Sequence, residues 1–192
     1  MAKTYKVKKI NKRKTKRTTK RIYKKKDYQS NDGMLTSVWG PSAWHFIHCV
    51  SFNYPVNPTC DDKRNYRNFI LNLRHVLPCG KCRVNLCKNL KKNPITWKHM
   101  KNRDSFSKYV YHLHESINKL LGKRSGLRYI DVRERYEHFR SRCTITESNK
   151  HEEKGCVSPV YGEKSKCVLQ IVPDKEKCET FQIDDKCIKK LK

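Results

Sequence analysis

Apolar residues in the middle of this chain recur at helical spacing, and no stretch alternates cleanly like a strand. Ala43, Phe46, Ile47 and Val50 share one face of a first helix that opens near Gly40, with Pro41 in its first turn. Pro55 and Pro58 end it. Asp61-Asp62 starts a second helix, where acids complement the helix dipole, and its stripe is Tyr66, Phe69, Ile70, Leu73, Val76 and Leu77. Pro78 breaks that helix. A third runs from about Gly80 to Leu90 with Val84, Leu86, Cys87 and Leu90 inward, and Pro94 closes it. The fourth carries Phe106, Tyr109, Val110, Leu113, Ile117, Leu120 and Leu121 and stops at Gly122. A shorter helix follows over about 130–141. Short loops between helices of roughly 10–17 residues predict antiparallel neighbours in an all-α bundle.

Two polar segments flank this core. Residues 1–30 form a Lys/Arg/Thr arm with almost nothing apolar to bury, expected to be disordered alone. Within it, residues 1–27 hold fourteen Lys and Arg against one acid, Asp27, which favours contact with nucleic acid or another polyanion. Residues 31–143 read as the folded domain and 144–192 as a polar, cysteine-containing tail. The whole chain of 192 residues carries a formal charge of +27. It has no apolar run of about 18 residues and no apolar stretch resembling a secretory signal, so a chain that keeps to the cytoplasm, off membranes, is expected.

Ten cysteines are many for such a chain. Cys79 and Cys82 stand apart because Pro78-Cys79-Gly80-Lys81-Cys82 falls where one helix ends and the next begins. Backbone N–H groups and the dipole of the new helix favour a thiolate there, and Lys81 and Arg83 add positive charge. Gly80 is expected to let the backbone turn tightly between the sulfurs. Three chemistries fit a CxxC. Half a zinc site lacks a second CxxC, and His112 and His114 are closer together than the usual pair of histidine ligands. A thioredoxin-like site needs a strand before the motif, where the sequence reads as helix. A redox pair in a helical bundle needs an electron acceptor.

Polar and aromatic groups in the apolar helices offer a seat for one. Trp44 and His48 are four residues apart on the first helix. His114 and Asn118 are four apart on the fourth, with Tyr111 one turn before His114. Rings and hydrogen-bonding groups converging in a bundle suit a flat aromatic cofactor.

Three segments carry a family resemblance. Gly40-Pro41-Ser42-Ala43-Trp44-His45-Phe46-Ile47-His48 with Tyr54-Pro55, the Pro78–Cys82 segment, and Tyr111-His112-Leu113-His114-Glu115-Ser116-Ile117-Asn118 with Leu121-Gly122-Lys123 resemble, in order and spacing, the motifs of the Erv/ALR FAD-linked sulfhydryl oxidases. The resemblance covers about 38–140 and is greatest to the forms carried by large DNA viruses. It implies a four-helix bundle with a short fifth helix. It implies FAD held by Gly40, Trp44, His48, Tyr111, His114, Ile117, Asn118 and Lys123, with Arg135 and Tyr136 near the adenine end. Tyr136 stands where the family has Trp, and Glu115 where it has Asn.

The resemblance also implies a mechanism. Thiols of a substrate protein reduce the Cys79–Cys82 disulfide, with Cys79 outward and Cys82 toward the flavin, and O2 takes the electrons to give H2O2. No resident metal is implied. A homodimer along helices one and two follows by the same analogy, and the host cytoplasm, a viral factory or the virion is the implied location. The competing function is a zinc-containing nucleic-acid-binding module. For the tail, a mini-module stapled by its own disulfides is favoured over a shuttle pair. The pairing of Cys49, Cys60 and Cys87 stays open.

Overall fold

The structure is a computed structural model in which residues 23–142, 156–179 and 181–189 are described. The basic run before Tyr23 lies outside them. The chain divides into two units, one ending at Asp32 and one beginning at Gly33. The described part of the first holds a single helical turn, α1 (Lys25–Tyr28).

The second unit contains α2 (Thr36–Phe52), α3 (Cys60–Val76), α4 (Gly80–Lys92), a 3-10 turn (Trp97–Met100), α5 (Arg103–Leu120) and α6 (Tyr129–Glu137). A two-residue strand, β1 (Ser141–Arg142), pairs antiparallel with β2 (Ser158–Pro159) of the tail, and a second 3-10 turn spans Asp185–Cys187. α2 packs along α5, α3 along α4, and α6 against both α2 and α5. The expected four helices and short fifth are these.

Local chemistry fixes the helix ends. Thr59 and Asp62 form a reciprocal capping box at the start of α3: the Asp62 amide donates to Thr59 Oγ1 at 3.1 Å and the Thr59 amide to Asp62 Oδ2 at 2.9 Å. Asn102 caps α5 through the Ser105 amide at 2.9 Å. α5 ends in a complete Schellman motif. Gly122 adopts φ +67°, the Lys123 amide reaches Asn118 O at 2.8 Å, and the Gly122 amide reaches Lys119 O at 3.2 Å.

One core cluster joins the bundle: Ile47 from α2, Ile70 from α3, Leu86 and Leu90 from α4, and Phe106, Tyr109, Val110 and Leu113 from α5, with Tyr54, Ile95 and Met100 from the loops. Tyr54 is fully buried. Its hydroxyl donates to Met100 O at 2.9 Å, and Arg103 Nε donates to Tyr54 O at 2.7 Å. A smaller cluster of Phe52, Val132 and Tyr136 seats α6, with Tyr111 and Cys49 against it.

Several expectations are corrected. α2 begins four residues before Gly40, so Pro41 lies inside the helix. The carbonyl its missing N–H leaves free belongs to Ser37, an exposed residue. Val76, Val84, Leu120 and Leu121 were expected inward but are 69%, 55%, 56% and 56% exposed, because each lies at a helix end or on the outer edge of its stripe. α6 stops at Glu137, and the chain continues into β1. In the tail, Cys156 is disulfide-bonded while Cys167, Cys178 and Cys187 are free thiols, which goes against a fully stapled module. Cys49, Cys60 and Cys87 are also free. No helix among the described residues is long and apolar enough to cross a membrane.

Candidate redox and cofactor site

The site has two parts. The first is a disulfide between Cys79 and Cys82. Cys79 is the N-cap of α4, in extended backbone, and its Sγ accepts the Cys82 amide at 3.2 Å. The helix dipole and that amide stabilise negative charge on Cys79 sulfur. Cys82 lies one turn before Leu86 and two before Asn89 and Leu90, all buried, which puts it on the inward face of α4. Gly80 has no positive φ, and a Cβ there would meet only Arg83 Nη2 at 3.6 Å, so the motif does not require glycine at this position, contrary to expectation. Lys81 is exposed, and Arg83 Nη1 donates to Leu77 O.

A segment before α2 lies against the disulfide. The Met34 amide donates to Pro78 O at 2.8 Å, and Trp39 Nε1 donates to Met34 O at 3.1 Å. Gly33 permits this approach, since a Cβ there would sit 2.9 Å from Pro78 O. Thr36 Oγ1 is thereby held 3.8 Å from Cys82 Sγ.

The second part is a cluster of rings. Trp44 stacks on His114 with centroids 3.9 Å apart and planes 7° apart. His48 Nε2 and His114 Nδ1 share a hydrogen bond of 3.0 Å. His48 continues to Tyr136 (5.2 Å), and Tyr136 lies parallel to Phe52 (5.3 Å). The Tyr136 hydroxyl meets His45 Nδ1 at 3.4 Å.

Burial holds both imidazoles of the pair neutral. His48 is pushed down to about 3, first by desolvation and then by the charges of His114 and His45. His114 is pushed down to about 4 by desolvation, against the opposing pull of Glu115. Two neutral rings share one proton across their hydrogen bond. In either tautomer, the remaining nitrogens, His48 Nδ1 and His114 Nε2, are therefore one donor and one acceptor. His48 Nδ1 is buried with no hydrogen-bond partner. An orphaned polar atom beside stacked rings, with complementary donor and acceptor, fits a flat polar heterocycle.

The structure thus gathers Trp44, His48, His114 and Tyr136. Ile117, like Trp44, packs against the core cluster. Tyr111 donates its hydroxyl to Leu127 O at 2.8 Å and supports the α6 seat. Asn118 Nδ2 donates to Glu115 Oε1 at 2.9 Å, and Lys123 is exposed just after the Schellman turn. At Gly40 a Cβ would meet nothing closer than Thr36 Cγ2 at 3.7 Å. The Arg135 guanidinium lies 4.7 Å from the centroid of the tail residue Phe181, whose ring also lies 5.6 Å from that of His45 and 6.1 Å from that of Phe139. No periodic signal marks His45, Phe52, Phe181 or Thr36. Phe181 and Thr36 lie outside the apolar stripes, and only tertiary packing brings them here. Among the described residues no group of His, Cys, Asp and Glu is arranged to hold a metal, and nothing supports the zinc alternative.

Comparison with known proteins agrees with this geometry. Residues 41–139 match the Erv1 / Alr family. A probable FAD-linked sulfhydryl oxidase of Acanthamoeba polyphaga mimivirus is 40% identical over 91 residues, 47% of this chain and 64% of that protein. An FAD-linked sulfhydryl oxidase of African swine fever virus is 31% identical over 86 residues, 45% of this chain and 70% of that protein. The chain thus spans slightly less than two thirds of the mimivirus relative. In fold it is similar to the yeast Erv1 core, with a TM-score of 0.51 at 23% identity over 64% of this chain and 96% of that one. The matched segment holds both cysteines of the disulfide and every ring from Trp44 to Phe139, and the chain belongs to the Erv1/Alr family.

Proposed function

We propose that this protein is an FAD-dependent sulfhydryl oxidase that makes disulfides in thiol-bearing protein substrates, using O2 as the final acceptor. The observation that carries the reading is the Cys79–Cys82 disulfide at the N-terminus of α4, with Cys82 on the helix face that carries the buried Leu86, Asn89 and Leu90. A substrate thiolate attacks Cys79 Sγ. The disulfide breaks and Cys82 leaves as a thiolate. A second substrate thiolate attacks the substrate sulfur of the mixed disulfide and releases Cys79. The substrate has lost two electrons and two protons, and the CxxC holds the electron pair.

Trp44, His48, His114 and Tyr136 would hold the flavin, with Gly40, Tyr111, Ile117, Asn118, Lys123 and Arg135 as the further candidates by family motif. Bound FAD would supply a two-electron acceptor that O2 can reoxidise to give H2O2. The rings exclude water. The neutral imidazole pair offers one donor and one acceptor without placing a charge in the core.

Three further readings belong to the proposal. Phe46 on α2 is 59% exposed and lies edge-on to Phe69 of α3, an apolar face that a second copy would cover in a homodimer. Phe46→Arg should then halve the mass found by sedimentation. Composition alone supports polyanion contact by residues 1–27, and their deletion should flatten the salt dependence of DNA binding while sparing oxidase activity. The host cytoplasm, a viral factory or the virion is the location that goes with this reading, and the viral source of the two relatives is what suggests it. The function itself is tested by dithiol-dependent oxygen uptake of the purified protein. Uptake that yields H2O2 and is lost in Cys82→Ser is expected, and undiminished uptake in that variant would remove the CxxC from the reaction.

A further inference from the structure

The two sulfurs of the redox pair are served by different donors. Cys79 Sγ receives the Cys82 amide and the positive end of α4. Cys82 Sγ sits inside the first turn, and among the described residues no backbone N–H is hydrogen-bonded to it. Among the described residues, the side-chain donor that reaches it is the Thr36 hydroxyl at 3.8 Å. In a disulfide neither sulfur carries a hydrogen, so the hydroxyl is the donor. Lys81 points to solvent, and the Arg83 guanidinium is committed to Leu77 O.

We infer that Thr36 is a functional residue of the redox centre, donating its O–H to Cys82 Sγ when that sulfur becomes the leaving thiolate. The inference rests on the disulfide-exchange reading above. When the substrate thiolate bonds to Cys79 Sγ and the S–S bond breaks, the bonding pair stays on Cys82 as negative charge. A neutral O–H beside a disulfide sulfur is a weak contact. The same O–H beside a thiolate is a charge-assisted hydrogen bond and strengthens as charge develops.

The fold holds the hydroxyl there deliberately. Gly33 admits the close pass beside Pro78, the Met34 amide is tied to Pro78 O, and Trp39 Nε1 fixes Met34 O. Thr36 follows as the first residue of α2. The pre-helix segment that the apolar pattern leaves out is therefore part of the redox centre.

The test uses the full-length protein with Thr36→Val, which keeps the shape and removes the donor, and Thr36→Ser, which keeps the donor. The CxxC is reduced, and the alkylation rate of each cysteine by iodoacetamide is followed against pH by mass spectrometry. Thr36→Val should raise the midpoint at Cys82 by about one pH unit, the scale of a hydrogen bond to a charged group, and leave Cys79 in place. Thr36→Ser should restore the parent midpoint. Thr36 is exposed, so the valine variant should fold, and its circular dichroism checks that. An unmoved Cys82 midpoint, or equal shifts at both cysteines, overturns the inference. The measurement needs neither flavin nor oxygen. A protein without oxidase activity that still shows the Cys82-specific shift would refute the proposed function and leave Thr36's role standing.

Discussion

Acidification from pH 7 to pH 5 should destabilise this protein through its buried imidazole pair. Burial holds His48 at about 3 and His114 at about 4, while each titrates near 6.5 once unfolded. Between those values the unfolded chain binds protons that the folded chain refuses. Stability is therefore intact above pH 6.5 and is lost progressively as pH falls toward the folded values. Because pH 5 still lies above both folded values, the unfolded pKa sets the size of the loss. That gives about 2 kcal/mol for each histidine and about 4 kcal/mol for the pair. His45 and His99, also held down by burial, add smaller losses of the same sign. Urea unfolding at the two pH values, followed by circular dichroism with and without excess FAD, measures the sum. His114→Gln should lose about 2 kcal/mol less than the parent between them. If parent and variant show the same pH dependence, His114 is not held neutral, and the donor–acceptor argument for the cofactor seat falls with it.

Two other perturbations probe the frame around the site. Phe106, fully buried between Tyr54 and Tyr66, should cost about 3–5 kcal/mol as Phe106→Ala, read as a lower urea midpoint with an unchanged slope. Gly33→Ala would drive a Cβ to 2.9 Å from Pro78 O and displace the segment. It should lose the Met34–Pro78 hydrogen bond, worth about 1 kcal/mol, and give the same Cys82-specific rise in alkylation midpoint as Thr36→Val. A normal midpoint in Gly33→Ala would mean that the segment does not position Thr36.

Much of this architecture was legible because it is written in helical periodicity and punctuation. The stripe through Phe106, Tyr109, Val110 and Leu113 and the stop at Gly122 describe the body and the C-terminal end of α5, which begins one turn earlier at Arg103. The CxxC and the paired Trp44/His48 and His114/Asn118 positions were visible as polar or aromatic interruptions of apolar faces. Pattern failed where tertiary contacts override local signals. Pro41 suggested a helix start, but anchoring of Met34 to Pro78 carries the helix four residues further back. Val84 belongs to an apolar repeat, yet the face of α4 that packs is the one through Cys82, Leu86 and Leu90. Phe181 lies in a polar tail without periodicity, and its contact with His45 and Arg135 is purely long-range.

The central claim is that Cys79 and Cys82 relay electrons from thiols to a flavin. Anaerobic addition of a dithiol to the purified protein, with the flavin's visible absorbance recorded in parent and Cys82→Ser, tests it most directly. The account predicts a yellow protein whose flavin bleaches rapidly in the parent and stays oxidised in Cys82→Ser. A colourless protein that FAD cannot reconstitute, or equally fast bleaching without Cys82, would contradict it.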